Sequence, residues 1–299
     1  MLYQVGRKFR DEPRPRGGLL RAREFVMKDL YSFDATVEGA KETYERVKAA
    51  YCDIFQSLGV QVLVAGASGG NIGGSLTHEF HVAAETGEDE LRRCGHCEYC
   101  FNKELDAPLE EDASLLRCPQ CGRGFACSSS STVRGIEVGH TFLLGDRYSV
   151  PLKASLGGVP LQMGCYGLGL TRILAAAIEQ SHDERGLRWP LGMAPFRLAV
   201  ATLGPSSDTA LASASEACCQ RLSQLPGFGG EVLWDESQRG AGEKLAESEL
   251  LGHPFTLVVG SSFKKTGRYE LRLRLTGEVL TDLSLDQVEA VLLNNRPHQ

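Results

Sequence analysis

Two short segments carry residue types that bind phosphate. Phe9-Arg10-Asp11-Glu12 places an arginine and a carboxylate two residues apart, so that in a strand both side chains point to one face. Arg10 could grip a phosphate with its planar guanidinium, and Glu12 could accept a hydrogen bond from an amine. Residues 164–172 predict a glycine-rich turn that leads into a helix and places Arg172 near the positive helix end. Two arginines from distant segments, both suited to phosphate, predict a nucleotide site.

Further polar and aromatic residues extend this pattern. Arg21 and Phe25 lie on the next predicted strand, where they could add a guanidinium and a ring that stacks on a base. Two segments then pair a carboxylate with an imidazole: Glu137-Val-Gly-His140 and Thr77-His78-Glu79-Phe80. Each pair is either a Mg²⁺ or substrate site or a set of polar positions on a half-buried strand.

Cysteines form a separate pattern. Cys94-Gly-His-Cys97 and Cys118-Pro-Gln-Cys121 are two C-x-x-C pairs, which predict a tetrahedral zinc site. Disulfides and unbound thiols are the competing interpretations, and the spare candidate ligands are Cys100, Cys127 and His96. Because the pattern implies no open coordination position, we expect a structural zinc ion rather than a catalytic one.

Composition narrows the class of protein. The 299 residues are 42% hydrophobic and 23% charged, which predicts a soluble globular protein with one large or two ordinary domains. No apolar run reaches the length of a membrane span, and no G-x-S-x-G elbow of a serine hydrolase occurs. The formal net charge of −6 leaves room for a local nucleic-acid site, because basic residues cluster in 7–28 and 264–274.

The elements that position these residues follow from periodicity. The pattern predicts an antiparallel hairpin over 5–33, a helix after Asp34 that ends at Gly59, and a helix near 171–181. Predicted strands of this part are 60–65, 76–83, 135–144 and 159–165. Beyond a turn-rich connector, strands (196–203, 231–234, 255–260, 269–275) mix with helices (207–224, 239–251, 284–294). We therefore expect a domain over 1–190, with a cysteine-rich insert at 88–132, and a small α/β domain over 196–299.

Set together, these segments resemble class II aminoacyl-tRNA synthetases, and among them the prolyl-tRNA synthetases of the bacterial and mitochondrial type. The resemblance rests on Lys8-Phe-Arg-Asp-Glu12, Arg14-Pro-Arg16, Leu20-Arg-Ala-Arg-Glu-Phe25, Met27-Lys-Asp29, Gly73-Gly-Ser75, His78-Glu-Phe80, Glu137-Val-Gly-His140, Met163-Gly-Cys-Tyr-Gly167, Thr171-Arg172 and, in the tail, Glu231-Val-Leu-Trp-Asp235 and Gly252-His-Pro254. It implies an α+β fold: an antiparallel-sheet catalytic domain, incomplete at its N-terminus, followed by an α/β anticodon-binding domain.

The resemblance also implies a reaction, ATP- and Mg²⁺-dependent activation of L-proline to prolyl-adenylate and its transfer to tRNA(Pro). The implied catalytic residues are Arg10 on the α-phosphate and Arg172 on the γ-phosphate. The implied ATP-binding set is Arg10, Glu12, Arg21, Phe25, Glu137, His140 and Arg172, with Glu137 also contacting Mg²⁺. The implied proline pocket is formed by His78, Phe142 and Cys165.

Two departures from the family pattern set further expectations. Motif 1 and the Thr-x-Glu loop would lie before Met1, so we expect the full-length enzyme to be a homodimer and this chain alone to activate proline poorly. The alternative is a truncated, non-catalytic form that retains ATP and tRNA binding. Only the cysteine insert separates His78-Glu-Phe80 from Glu137-Val-Gly-His140. This short spacing favours an enzyme without cis-editing, as in the mitochondrial members of the family. We therefore expect a location in the mitochondrial matrix, with the bacterial cytoplasm as the alternative. A threonine- or histidine-charging relative and a zinc-ribbon nucleic-acid binder are weaker alternatives.

Overall fold

The computed structural model describes residues 1–97, 99–105, 117–118, 120–123, 131–205 and 207–295. The chain divides into two units. The first contains Met1–Gln56 and Val60–Gln180, and the second contains Ser57–Gly59 and Ser181–Gln299. Apart from the segment Ser57–Gly59, the chain passes from the first unit to the second after Gln180.

An eight-stranded sheet organises the first unit. Its strands are β1 (Leu2–Phe9), β2 (Glu24–Asp34), β3 (Leu63–Gly66), β4 (Leu76–Ala83), β5 (Asp89–Arg93), β6 (Cys100–Asn102), β7 (Ser131–Gly145) and β10 (Gln162–Gly169), in the order β1-β2-β10-β7-β4-β3-β6-β5. All pairs are antiparallel except β3 with β6. The helices are α1 (Val37–Leu58), α2 (Ser149–Leu152) and α3 (Leu170–Gln180), and β8 (Ser155–Leu156) with β9 (Val159–Pro160) forms a small hairpin.

The predicted hairpin and the first helix are confirmed. β1 and β2 pair antiparallel from Leu2 with Tyr31 to Phe9 with Glu24. Helix α1 ends before Gly59, which adopts a φ of +73° that a residue with a Cβ would reach only with strain. The buried face of α1 carries Tyr51 and Phe55, whose ring centroids lie 5.3 and 5.9 Å from that of Phe80 in β4. This aromatic cluster fixes α1 on one face of the sheet and leaves the other face for the predicted site.

The sequence predicted a turn for the glycine-rich segment that begins at Gly164. This prediction is wrong, because residues 164–169 belong to the inner strand β10. It lies between β2 and β7 and pairs with both. Gly164 has no room for a side chain, because a Cβ there would collide with the hydroxyl group of Tyr166. The glycines thus permit close packing across a central strand, and the turn into α3 follows only after Gly169.

The cysteine insert contains strands that the sequence did not predict. Its first part contributes β5 and β6, which extend the main sheet through β3 and β7. A 3₁₀ turn at Lys103–Leu105 follows β6. Cys127 lies outside the described residues.

The second unit contains a five-stranded mixed sheet. Its strands are β13 (Leu198–Thr202), β14 (Val232–Asp235), β15 (Phe255–Val259), β16 (Tyr269–Leu273) and β17 (Val279–Leu283), in the order β14-β13-β15-β16-β17. The helices are α4 (Thr209–Leu222), α5 (Ala241–Leu251), α6 (Ser261–Thr266) and α7 (Leu285–Asn294), and β11 (His182–Asp183) with β12 (Gly186–Leu187) forms a ribbon. The predicted strands and helices are confirmed, whereas the edge strand β17 and the short helix α6 were not predicted.

The helices of the described residues include none that is both long and apolar enough to cross a membrane.

Candidate active site

A cavity of about 300 Å³ lies on the sheet face of the first unit, a size within the range of small-molecule sites. It is lined by residues of β2, β7 and β10, of the loop between β1 and β2, and of the start of α3. Of the residues predicted from sequence, the lining includes Arg10, Glu12, Arg21, Phe25, Glu137, His140, Phe142, Cys165 and Arg172. The fold therefore brings every predicted ATP-binding residue and two of the predicted proline-pocket residues into one cavity.

Strand β2 supplies one wall of this cavity by simple alternation. Phe25, Met27, Asp29 and Tyr31 occupy every second position of the strand and all line the cavity. The sequence assigned a role only to Phe25. The alternation of the strand would also have predicted the other three as cavity residues, because residues i, i+2 and i+4 of a strand share a face.

The Arg10 guanidinium lies over the Phe25 ring, with its Cζ atom 5.1 Å from the ring centroid. Its Nη2 also lies 3.8 Å from Met27 Sδ. Both contacts are weak, since an exposed cation–π pair contributes only about 0.5–1 kcal/mol. An incoming ligand can therefore replace the arginine on the ring without a large loss of protein contacts.

Glu12 and Arg21 form an ion pair, with Nε 3.0 Å from Oε2. Arg21 also reaches Glu88, with Nη1 2.6 Å from Oε2. The hydrogen bond from Arg21 holds the pKa of Glu12 below its usual value, so Glu12 is an ionised acceptor. The positive charge of Arg21 is already compensated by two carboxylates, those of Glu12 and Glu88. Arg21 is therefore suited to orient Glu12 rather than to add net positive charge to the cavity.

Arg172 joins three segments of the cavity wall. Its Nε donates to the Leu20 carbonyl at 2.8 Å, and its Nη1 donates to the Glu137 carbonyl at 3.0 Å. The same Nη1 lies 3.6 Å from Glu137 Oε2. The preceding Thr171 accepts a hydrogen bond from the backbone N–H of Val26. These contacts fix a guanidinium at the first turn of α3, facing the cavity.

Glu137, His140 and Glu79 form a cluster whose side chains could hold a cation. His140 Nδ1 lies 3.0 Å from Glu137 Oε1 and 3.7 Å from Glu79 Oε1, and the three potential ligand atoms lie within 4.8 Å of one another. Burial alone would raise the pKa of Glu137, but the hydrogen bond from His140 and the charges of His140 and Arg172 hold it below its usual value. An ionised carboxylate beside a second carboxylate is the ligand type that Mg²⁺ prefers.

Behind this cluster lies a buried polar network that the sequence did not reveal. Glu79 is only 8% exposed, and its Oε2 accepts from Asn102 Nδ2 at 3.0 Å. The same oxygen lies 2.8 Å from Nε2 of the fully buried His81. Glu79 faces the cavity cluster because it pairs with His140 across β4 and β7.

His78 does not line the cavity. It pairs with Thr141 across β4 and β7, one position out of phase with Glu79, and its Nδ1 lies 2.7 Å from the hydroxyl of Tyr44 in α1. Burial and the charge of Lys48 lower the pKa of His78 to about 4, so the imidazole is neutral near pH 7. Any effect of His78 on a ligand in the cavity must therefore pass through the sheet.

The less polar end of the cavity contains Phe142, Cys165 and Tyr31. Cys165 in β10 pairs with Phe142 on one side and with Tyr31 on the other. The Phe142 ring stacks on His140, with centroids 3.8 Å apart at 19°. Burial raises the pKa of Cys165 to about 11, so it is a neutral thiol. This end suits a small ring with little charge.

The four cysteines of the C-x-x-C pairs also meet. The sulfur atoms of Cys94, Cys97, Cys118 and Cys121 lie within 4.8 Å of one another. Cys100 packs instead with Ala65 and Leu91. His96, the other spare candidate, contacts Arg123, with Nη1 3.0 Å from Nδ1.

In the second unit, the basic segment is partly neutralised by local carboxylates. Lys264 Nζ lies 2.6 Å from Asp208 Oδ2, and Arg268 Nε lies 4.0 Å from Asp282 Oδ1. Asp208 also caps α4 by accepting from the Leu211 N–H. Phosphate contacts by this segment would have to compete with these pairs.

Comparison with protein families assigns both units. Residues 1–181 match the model described as "tRNA synthetase class II core domain (G, H, P, S and T)". Residues 198–295 match the model described as "Anticodon binding domain".

Individual relatives cover nearly the whole chain. This chain is 41% identical over 298 residues to "Probable proline--tRNA ligase, mitochondrial" of Schizosaccharomyces pombe. The aligned segment covers 98% of this chain and 68% of that relative. The human protein of the same description is 41% identical over 290 residues, covering 93% and 58%. "Proline--tRNA ligase" of Anaplasma phagocytophilum is 38% identical over 307 residues, covering 96% and 68%. The chain thus spans between 58% and 68% of the length of these relatives.

Proposed function

The chain belongs to the class II aminoacyl-tRNA synthetases, and we propose that it carries the ATP-binding and anticodon-binding parts of a proline–tRNA ligase. The observation that carries the proposal is the single cavity that joins Arg10, Phe25, Glu137 and Arg172. These are two cations for phosphate, a ring for adenine and a carboxylate for Mg²⁺. The names of the relatives support proline as the amino acid.

In the first step, a carboxylate oxygen of proline attacks the α-phosphorus of ATP. The bond from the α-phosphorus to the bridging oxygen breaks, pyrophosphate leaves, and prolyl-adenylate forms. Negative charge grows on the α-phosphate and on the leaving group. Arg10 and Arg172 would stabilise this charge, because fixed cations in a partly enclosed site need no reorganisation during the reaction.

The adenine end of ATP would occupy the space over Phe25, where Arg10 now lies. Stacking on the ring would release the guanidinium toward the α-phosphate. Glu12, kept ionised by Arg21, would accept a hydrogen bond from the adenine amine. Arg10 would thus exchange a weak contact with the ring for a charge-assisted contact with phosphate.

Glu137, with Glu79 and His140 beside it, fits a magnesium ion. When bound, Mg²⁺ supplies positive charge that polarises the phosphates of ATP. Glu137 keeps its charge because His140 and Arg172 lower its pKa. His140 also holds the Glu137 carboxylate in one orientation through the 3.0 Å contact.

The pocket for proline would be formed by Phe142, Cys165 and Tyr31. An aromatic ring and a neutral thiol favour the apolar pyrrolidine ring over the hydroxyl groups of serine and threonine and the imidazole of histidine. His78 would support this pocket only indirectly, through the packing of β4 on α1.

In the second step, a hydroxyl of the terminal ribose of tRNA(Pro) attacks the carbonyl carbon of prolyl-adenylate, and AMP leaves. The second unit would bind the anticodon, which the match of residues 198–295 supports. We further propose a homodimer. Apolar side chains exposed on the edge strand β1, among them Leu2, Tyr3 and Phe9, support it. Light scattering that finds only monomers under assay conditions would refute this part.

Location and editing form a further part of the proposal. Relatives named as mitochondrial support the mitochondrial matrix, with the bacterial cytoplasm as the alternative. The segment between Phe80 and Glu137 supports an enzyme without cis-editing, because only the cysteine insert occupies it. Rapid deacylation of alanyl-tRNA(Pro) by the purified enzyme would contradict the last point.

Isotope exchange between pyrophosphate and ATP tests the function. For the full-length enzyme, we expect exchange that depends on proline and is lost in Arg172→Lys. ATP binding without exchange by the wild-type protein would instead support the non-catalytic form.

A further inference from the structure

The four cysteines of the insert have the geometry of a tetrahedral thiolate site. Cys94 Sγ lies 3.7 Å from Cys121 Sγ, and Cys97 Sγ lies 3.6 Å from Cys118 Sγ. Zinc–sulfur bonds of about 2.3 Å at tetrahedral angles place neighbouring sulfurs about 3.8 Å apart. A disulfide would require about 2.05 Å. The spacing therefore fits four sulfurs around one metal ion rather than two covalent pairs.

The backbone around the first pair forms a tight turn that directs donors at sulfur. The backbone N–H groups of His96 and Cys97 donate to the Cys94 sulfur, and that of Tyr99 donates to the Cys97 sulfur. The turn is closed by a hydrogen bond from the Cys94 N–H to the Tyr99 carbonyl at 2.9 Å. This turn holds the two sulfur atoms within 4.8 Å of those of the second pair.

The second pair forms a similar turn. The Cys118 N–H donates to the Arg123 carbonyl at 2.8 Å, and the Gly122 N–H donates to the Cys118 carbonyl at 2.8 Å. Gly122 adopts a φ of +69°, which suits a tight turn next to a ligand residue. Two such turns facing each other present four sulfurs, and four thiolates this close would repel one another without a cation between them.

We propose that Cys94, Cys97, Cys118 and Cys121 bind one zinc ion. All four tetrahedral positions would be filled by protein sulfur, so the ion is structural and takes no part in the chemistry of the ATP cavity. The proposal stands on the geometry of the insert and does not depend on the proposed function.

The zinc ion would hold a small subdomain that has little core of its own. Its buried apolar cluster consists of Cys94, Phe101 and Cys118, with Cys97 and Tyr99 packed against it. The rings of Tyr99 and Phe101 stack, with centroids 6.1 Å apart at 24°. Small units of this kind commonly obtain their folding free energy from a metal ion.

The cysteine site is also connected to the cavity wall through strand β6. Phe101 and Asn102 belong to β6, which begins three residues after Cys97 and pairs with β3 and β5. Asn102 then donates to Glu79. The metal would therefore fix the strand that carries Asn102, and its removal would loosen one support of the Glu79 carboxylate.

The first experiment measures metal in the 299-residue chain purified without chelators. Elemental analysis should find one zinc ion per chain in the wild type and in Cys52→Ser, which alters an exposed thiol outside the cluster. Cys121→Ser, which alters the exposed ligand, should lose most of the zinc. Substoichiometric zinc in the wild type, together with reactive free thiols or a mass that reveals disulfides, would overturn the proposal.

The second experiment uses only the wild-type chain, so its result does not depend on whether a variant folds. Replacement of zinc by Co²⁺ in the wild-type chain should give the intense visible bands of a tetrahedral cobalt–thiolate centre. Spectra of weak, octahedral cobalt would overturn the proposal, whatever the activity of the enzyme. Loss of exchange activity with full zinc content would instead count against the proposed function alone.

Discussion

Asn102 donates from Nδ2 to Glu79 Oε2 at 3.0 Å, so that a residue of the cysteine insert contacts the carboxylate beside His140. Both side chains are buried, with 3% of Asn102 and 8% of Glu79 exposed. A buried carboxylate that loses one of its donors keeps its desolvation cost with less compensation, and here His81 Nε2, at 2.8 Å, would remain beside that oxygen. The insert is therefore joined to the wall of the cavity by a contact that is costly to remove.

Asn102→Ala should lower the free energy of unfolding of the first unit by about 1–3 kcal/mol, because the hydrogen bond to a charged, buried acceptor is lost. Urea unfolding followed by fluorescence measures the change. The adjacent Lys103→Ala removes an exposed ion pair with Glu90 and serves as the control, with no measurable effect expected. Equal stability of Asn102→Ala and the wild type would show that the contact with Glu79 is dispensable.

Arg172→Lys keeps the positive charge but cannot donate at once to the Leu20 and Glu137 carbonyls, because lysine lacks the fork of arginine. We expect the rate of proline-dependent exchange to fall about 10²-fold or more, as for other fixed donors to a transition-state charge. Arg7→Lys, at an exposed position of β1, is the matched control. A variant with the wild-type rate would remove Arg172 from the phosphate site.

Glu137→Gln should raise the Mg²⁺ concentration needed for half-maximal exchange, since the amide is a neutral and weaker ligand than the carboxylate. A magnesium titration of the exchange rate at saturating ATP measures the shift. Glu90→Gln alters a carboxylate on β5 that pairs with Lys103 and should leave the requirement unchanged. If both variants respond to Mg²⁺ as the wild type does, the ion binds without Glu137.

The half-buried His78 predicts a pH dependence of stability. Its pKa is about 4 in the folded chain and about 6.5 in an unfolded one, so between these values the unfolded state binds the extra proton. The free energy of unfolding should therefore fall as the pH decreases from about 6.5 to 4. Urea unfolding at several pH values should give a shallower slope for His78→Gln over this window. Identical slopes would mean that His78 titrates normally in the folded state.

Local sequence patterns were sufficient to predict many residues of the candidate site. The spacing of Arg10 and Glu12, the ring of Phe25 and the helix that ends at Gly59 could each be inferred from neighbouring residues, because their conformations are set locally. Together with the family resemblance, they predicted residues that the fold brings together in the lining of one cavity.

Features that depend on strand register could not be inferred in this way. Glu79 rather than His78 lies beside His140 of the cavity wall because β4 pairs Glu79 with His140, and a shift by one residue reverses the face. Residues 164–169 resemble a turn in sequence, but β2 and β7 on either side make them a strand. Asn102 meets Glu79 only because β6 joins β3 in parallel, a long-range pairing that no local pattern indicates.

The most direct test of the central claim is pyrophosphate exchange into ATP by the purified full-length enzyme with glycine, histidine, proline, serine and threonine in turn. We predict that proline drives exchange far better than the other four and that Arg172→Lys abolishes the difference. Exchange driven best by another amino acid of the group, or by none while ATP still binds, would contradict a proline–tRNA ligase.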